Sequence, residues 1–259
     1  MQIVFLSALI ALSFIGSVGA LERSEVAISP SEQLRTRHGN DDGTIFVPDG
    51  LTGRVQQIYD ASYFSFLPKG GVWIDEILFR ADERFGKDSN YTGPGVQVEL
   101  STTSVAVDSL SSTFELNFGP DRTLGVDRSD TVYLYTSRPS GQVPDGFGGG
   151  PTFYTRPFFY DPSKGNLLVD ITCFHGIQSS SLDAENVLGD SVATVSAFSD
   201  TGEIPTSGMV STKGFVTLFV YHSIPEPSSV PLFLLASGSL AWLFRRSKRN
   251  QEHTKNVSA

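Results

Sequence analysis

The chain has 259 residues, 39% of them hydrophobic, 18% charged and 11% aromatic, with 25 Gly, 14 Pro and a single Cys. One cysteine excludes a disulfide framework and a four-cysteine zinc site, and ordinary glycine and proline contents exclude collagen-like and low-complexity chains. The net charge of −9 is unevenly spread: Arg245, Arg246, Lys248, Arg249 and Lys255 against Glu252 make the end basic, which leaves residues 21–227 with 14 basic and 27 acidic side chains. A segment that acidic repels phosphate backbones and anionic headgroups and excludes nucleic acid as a partner. Cations and neutral glycans stay open.

Residues 1–20, MQIVFLSALIALSFIGSVGA, are an uncharged apolar run that closes on small residues. Val18 and Ala20 stand where signal peptidase reads its substrate, and Glu22, Arg23, Ser24 and Glu25 then turn polar, so the run is expected to be a cleaved N-terminal signal helix. Residues 21–43 read as a polar, irregular arm.

From position 44 to 223, short runs of period-two alternation are punctuated by Gly, Pro, Asn, Asp and Ser. Val96, Val98 and Leu100 alternate with Gln97 and Glu99; Phe114, Leu116 and Phe118 alternate with Glu115 and Asn117. Leu167, Val169, Ile171 and Cys173 share one face, with Asp170 and Thr172 on the other, and Val216, Leu218 and Val220 oppose Thr217 and Tyr221. Further strands are predicted at 44–47, 54–59, 72–80, 131–136, 152–160 and 192–198. No segment of this region carries a 3.6-residue period, and the fold class expected is all-β: an antiparallel, jelly-roll-like β-sandwich. The glycine-rich stretch 139–151, PSGQVPDGFGGGP, reads as a long exposed loop.

Catalytic signatures are absent: there is no Gly-x-Ser-x-Gly and no His-Glu-x-x-His. Strand parity puts Cys173 and His175 on one face, as for a nucleophile and base, but that face is apolar and a buried, inert cysteine is the better reading. Carboxylates recur in pairs (Asp75 with Glu76, Asp82 with Glu83, Asp183 with Glu185), as a glycosidase needs and as any acidic domain contains. Asn40, Asp42, Gly43 and Asp49, in HGNDDGTIFVPD from His38, are spaced like part of an EF-hand loop, and Asp41 adds a carboxylate among them. His38 occupies the first ligand position and no helices flank it, so the segment reads as an Asx-rich turn or a generic calcium loop, calcium being the only cofactor in view. Aromatics cluster at Tyr59, Tyr63, Phe64 and Phe66, and again at Phe153, Tyr154, Phe158, Phe159 and Tyr160, where they serve either a core or a sugar-stacking platform.

After Ile224 come Pro225, Glu226, Pro227 and Ser228, an uncharged run from Val230 to Phe244, and the basic block Arg245, Arg246, Lys248 and Arg249. As a helix, 15 residues rise about 22 Å, short of a hydrocarbon core of about 30 Å, so the run would span only with snorkelling arginines and local thinning. The basic block would stay cytoplasmic. Pro-Glu-Pro, a short apolar helix and a basic cluster in this order resemble the PEP-CTERM protein-sorting signal over about residues 224–249. That resemblance implies a Gram-negative export route and cleavage near the motif by an exosortase, an integral membrane protease with a cysteine nucleophile. The expected sequence of states is a precursor anchored in the inner membrane and then a cell-surface or extracellular form. The segments DASYFSFLPKGGVW, VELSTT and PFFYDPSKGNLLVDI look like ectodomains of PEP-CTERM proteins without an assigned activity.

The expected organisation is therefore a signal peptide (1–20), an arm (21–43), an ectodomain (44–223), a sorting signal with a transmembrane helix (224–249) and a cytoplasmic tail (250–259). The leading functional reading is a non-enzymatic cell-surface or matrix protein. A carbohydrate-binding or adhesive module acting on exopolysaccharide is the second, and an extracellular hydrolase the third.

Overall fold

The computed structural model describes residues 23–28, 38–82, 88–136, 147–177 and 181–223, all within one unit, Ala20–Ile224. The signal segment, the Pro-Glu-Pro motif, the apolar run and the basic block lie outside the described residues. Among the described residues no helix is long and apolar enough to cross a membrane.

The strands are β1 (Arg23–Ile28), β2 (Asp41–Gly43), β3 (Thr52–Tyr59), β4 (Val72–Phe79), β5 (Ser89–Gly93), β6 (Val96–Thr103), β7 (Thr123–Val126), β8 (Val132–Thr136), β9 (Thr152–Tyr160), β10 (Asn166–Cys173), β11 (Leu182–Asn186), β12 (Val192–Ser199), β13 (Met209–Ser211), β14 (Lys213–Phe215) and β15 (Thr217–Ser223). All pair antiparallel. A four-stranded sheet runs β1-β15-β4-β9 and a six-stranded one β13-β12-β3-β10-β6-β7, with small sheets β14-β11-β2 and β5-β8 beside them. The fold is all-β and sandwich-like. Alternating apolar residues of both large sheets meet in one core, Val55, Tyr59, Val98, Leu100, Val169 and Ile171 facing Ile74, Ile77, Phe153, Phe158 and Phe219. Edge-to-face rings cross the gap: Tyr59 lies 5.0 Å from Phe219 and Phe64 4.9 Å from Tyr160.

The six-stranded sheet is buried on its other face as well. There Ile58, Leu168, Ala193 and Val195 pack on Val107, Leu110 and Phe114, which belong to the connection between β6 and β7. Polar side chains on that face are consequently paired. Arg54 Nε donates to Asp170 (2.9 Å), its Nη2 to Glu115 (2.9 Å), and its guanidinium stacks 4.8 Å from the Phe114 ring. Arg122 binds Glu99 and Glu115 at 2.6 Å each, and Asn117 and Gln56 bond one another at 2.9 Å.

Five sequence expectations need correction. Residues 21–43 are not wholly an arm, because β1 pairs along β15 from Arg23↔His222 to Ile28↔Thr217 and β2 pairs with β11. The predicted strand at 44–47 is instead a buried turn that follows β2, where Thr44 Oγ1 accepts the amide of Phe46 (2.9 Å). Phe114–Asn117 is a 3-10 turn that buries Phe114 and leaves Leu116 67% exposed; Asn117 ties it locally by accepting the Ser111 amide and donating to the Ser111 carbonyl, both at 2.8 Å. In β15 the core-facing residues are Thr217, Phe219 and Tyr221, the reverse of the expected face. Most of the stretch 139–151 lies outside the described residues, yet its end is not exposed. Gly150 and Pro151 are buried, with the Pro151 carbonyl accepting the Phe79 amide (3.0 Å).

Removing Arg54 leaves Asp170 as an uncompensated buried carboxylate. Arg54→Met is expected to cost about 3 kcal/mol of unfolding free energy in urea titrations, and Glu115→Gln, at the exposed end of the network, less than about 1 kcal/mol.

Candidate functional site

The sequence-predicted sites are mostly taken apart by the fold. Cys173 is buried at the end of β10, with its thiol directed at the Ile45 carbonyl (3.6 Å), and desolvation pushes that thiol up to about 12. His175, beyond the strand, is exposed and bonds the Tyr91 hydroxyl (2.8 Å), so the two residues do not form a dyad. Asp183 is buried against Arg80, whose Nε donates at 2.7 Å, and accepts the Gly39 amide. Its partner in sequence, Glu185, is buried too.

The calcium candidates diverge in the same way. Asn40 exchanges hydrogen bonds with the Asn186 backbone, Asp41 pairs with Lys213 Nζ (3.1 Å), Asp42 accepts from the Ser181 hydroxyl (2.5 Å), and Asp49 sits exposed at a turn. Among the described residues no group of three or more His, Cys, Asp and Glu side chains could hold a metal.

A different cluster forms on the outer face of the four-stranded sheet. The β4 sequence VWIDEILF interrupts its alternation with two acids, and the ladder answers with a register shift. On β15, Val220 and Tyr221 pair with Glu76 and Ile74, which leaves Asp75 as the extra residue. Opposite it, β9 slips at 155–157, between the pairs Glu76↔Tyr154 and Ile74↔Phe158, where Pro157 has no amide to offer the ladder. An unbroken strand with Ile77 and Phe79 facing inward would also turn Trp73 inward; the bulge turns it out. In β9 the slip likewise keeps Phe153, Phe158 and Tyr160 in the core and directs Phe159 to solvent.

The result is a row across three strands, His222↔Trp73↔Phe159. Trp73 and Phe159 are 40% and 37% exposed, with ring centroids 5.2 Å apart at 57°. Asp75 Oδ2 lies 2.8 Å from His222 Nε2; a carboxylate only accepts, so Nε2 donates and the ring is fixed at the margin of the aromatic pair. Gly71, at φ +86°, lies under Phe159: a Cβ there would come within 2.6 Å of the ring and 2.7 Å of the Tyr160 carbonyl. Tyr154, 70% exposed, is paired with Glu76 further along. Of the two aromatic groups read from sequence, Tyr59 and Phe64 are core, Phe66 is exposed, and the second group divides by face. Trp73 was missed because it sits apart from both; the signal for it was the Asp75-Glu76 interruption.

Such a surface offers two partly exposed aromatic rings flanked by a fixed imidazole and a carboxylate. It can stack on a flat apolar face and hydrogen-bond the hydroxyls around it.

The Cys173 thiol in the folded protein is expected to resist a thiol-specific disulfide reagent at pH 8 and to react stoichiometrically once urea unfolds the chain. Gly71→Ala should lower stability by more than about 1 kcal/mol, since it combines a strained φ with a clash at backbone.

No curated protein matches the chain. The model of the PEP-CTERM protein-sorting motif matches residues 223–249. That motif is a sorting signal handled by an exosortase on the route to the cell envelope or surface of a Gram-negative bacterium, and in this chain it follows an all-β unit in sequence.

Proposed function

We propose that the chain is the precursor of a non-enzymatic surface or matrix protein whose jelly-roll-like ectodomain binds neutral segments of the exopolysaccharide around its own cell. Signal peptidase releases it after Ala20. The segment after Pro227 anchors it in the inner membrane until an exosortase acts at Pro225, Glu226, Pro227 and Ser228, with Arg245, Arg246, Lys248 and Arg249 retained on the cytoplasmic side. The observation that carries the binding reading is the Trp73–Phe159 pair, two adjacent half-exposed rings held on a rigid sheet beside the Asp75–His222 pair. Sugar rings present C–H faces that pack on aromatic faces, and a rigid element preserves the spacing. The acidity of residues 21–227 favours neutral over anionic glycans.

Trp73 and Trp242 are the two tryptophans of the chain, and processing near Pro227 removes the second. Intrinsic fluorescence of the processed protein then reports on Trp73 alone. Titration with the host's solubilised exopolysaccharide is expected to give a saturable emission change, and Phe159→Ala to weaken it about tenfold or more, as for loss of an aromatic anchor worth about 2 kcal/mol. A polysaccharide that fails to bind the folded wild type would leave a structural coat as the function. Mass spectrometry of the surface fraction should find a C-terminus close to Pro227, and recovery of the intact tail would refute the processing scheme.

A further inference from the structure

The two-stranded sheet β5-β8 holds a cluster that the aromatic row and the core leave unused. Its inner face is anchored: Val132 and Leu134 are buried, and Tyr91 packs on the core and bonds His175 Nε2 (2.8 Å). Its outer face presents Asn90, Thr92, Tyr133 and Tyr135, all exposed. The register sets Asn90 opposite Tyr135 and Thr92 opposite Tyr133, and residues directly opposite on antiparallel strands project to the same side. Each of these polar side chains of β5 therefore has a tyrosine as its cross-strand neighbour.

Asn90, Tyr91 and Thr92 form Asn-x-Thr, the acceptor pattern for N-linked glycan transfer, which residues 21–227 contain nowhere else. Exposed Asp88, two residues earlier, extends it to acid-x-Asn-x-Thr, the longer pattern that bacterial transferases read. The fold supplies the context that the motif needs, because Asn90 and Thr92 both project from a strand into solvent while the residue between them points inward. The side-chain amides of other asparagines are committed: Asn40 donates to the Asn186 carbonyl (3.3 Å), Asn117 to Gln56 (2.9 Å), Asn166 to the Val105 carbonyl (2.9 Å) and Asn186 to Asp41 (3.4 Å).

We infer that Asn90 is an N-glycosylation site and that the first sugar of its glycan packs on the Tyr135 ring. The donor is, by class, an oligosaccharide linked to a polyprenyl diphosphate on the outer side of the inner membrane. Asn90 Nδ2 bonds to C1 of the reducing-end sugar as the C1–O bond to the diphosphate breaks. The polyprenyl diphosphate leaves with the electron pair, and one Nδ2 proton passes to a base of the transferase. The Thr92 hydroxyl, on the same face, is the group by which the transferase recognises and orients the amide. Sugar C–H faces pack on aromatic faces, and Tyr135 stands exposed on a fixed strand beside the acceptor. The inference rests on export, which the sorting motif supports, and not on the glycan-binding reading of Trp73 and Phe159. Asn256-Val257-Ser258 also fits the short pattern, but Thr254 stands where the acid would be, and in the proposed scheme that segment follows the basic block on the cytoplasmic side.

The test is mass spectrometry of the protein recovered from the envelope and extracellular fractions of its host, denatured before digestion so that non-covalently bound polysaccharide is removed. The peptide that carries Asn90 is expected to hold a covalent glycan, localised to that side chain by fragmentation. Thr92→Ala keeps Asn90 and should abolish the modification, and Thr92→Ser should restore it. Glycosylated wild type should melt at a higher temperature than Asn90→Gln, and the difference should vanish in a Tyr135→Ala background. An unmodified Asn90 in the exported wild type, or a glycan that survives Thr92→Ala, would overturn the site; the wild-type measurement decides it even if a variant fails to fold. Equal melting of wild type and Asn90→Gln would overturn the packing on Tyr135.

Discussion

The architecture depends on a single requirement: β3 is buried along its whole length on both faces, and five of its side chains, Thr52, Arg54, Gln56, Gln57 and Tyr59, carry polar atoms. An unsatisfied polar group there would cost about 1–3 kcal/mol, so each must find a partner from a different part of the chain. Arg54 takes Asp170 from β10 and Glu115 from the β6–β7 connection; Gln56 takes the Phe114 carbonyl and Asn117. On the opposite face Gln57 bonds both the amide (2.8 Å) and the carbonyl (2.9 Å) of Phe215, and Tyr59 reaches the Thr217 hydroxyl (2.8 Å). One strand thereby fixes the cover on one side of its sheet and the start of the facing sheet on the other. A purely apolar β3 would pack but would not specify which turn of the β6–β7 connection lies over it.

Residue pattern decided which elements were legible in the sequence. Strand-like runs located β6, β9, β10 and β12, and in β6, β9 and β10 the inward faces carry Val, Ile, Leu and Phe. The pattern misassigned the faces of β15, where Val220 is as buried as Phe219 and hydrophobicity could not say which face meets the core. It failed again at 114–118, because a 3-10 turn that anchors Phe114 inward and lets Leu116 out reads like a short strand when only residue types are visible. Strand β1 was illegible for another reason, since an edge strand paired on one side needs no apolar pattern of its own.

The aromatic row is a case in which an irregularity makes the surface. Bulges in β4 and β9 at the same height re-aim two rings outward without moving Ile74, Phe158 or Tyr160 from the core. The same extra residue, Asp75, then meets His222 across the sheet. From sequence, Asp75 and Glu76 read as a carboxylate pair; in three dimensions they are a bulge residue and its neighbour. Pairing in space is set by register, and register in turn depends on hydrogen-bonding interruptions that residue spacing does not reveal.

Charge distribution constrains what such a surface can recognise. With 14 basic and 27 acidic side chains over residues 21–227, and with Arg54, Arg80 and Arg122 committed to carboxylates, the ectodomain has little cationic surface with which to hold an anion. Of the lysines and arginines beyond 244, all but Lys255 lie in the segment that the sorting-motif model matches. Under the proposed function, recognition rests on contacts that do not require positive charge. Ring stacking at Trp73 and Phe159 is of that kind, because its strength comes from desolvated apolar area and shape. It should consequently persist at ionic strengths that screen the acidic surface, whereas a contact made through an exposed carboxylate would weaken as salt rises.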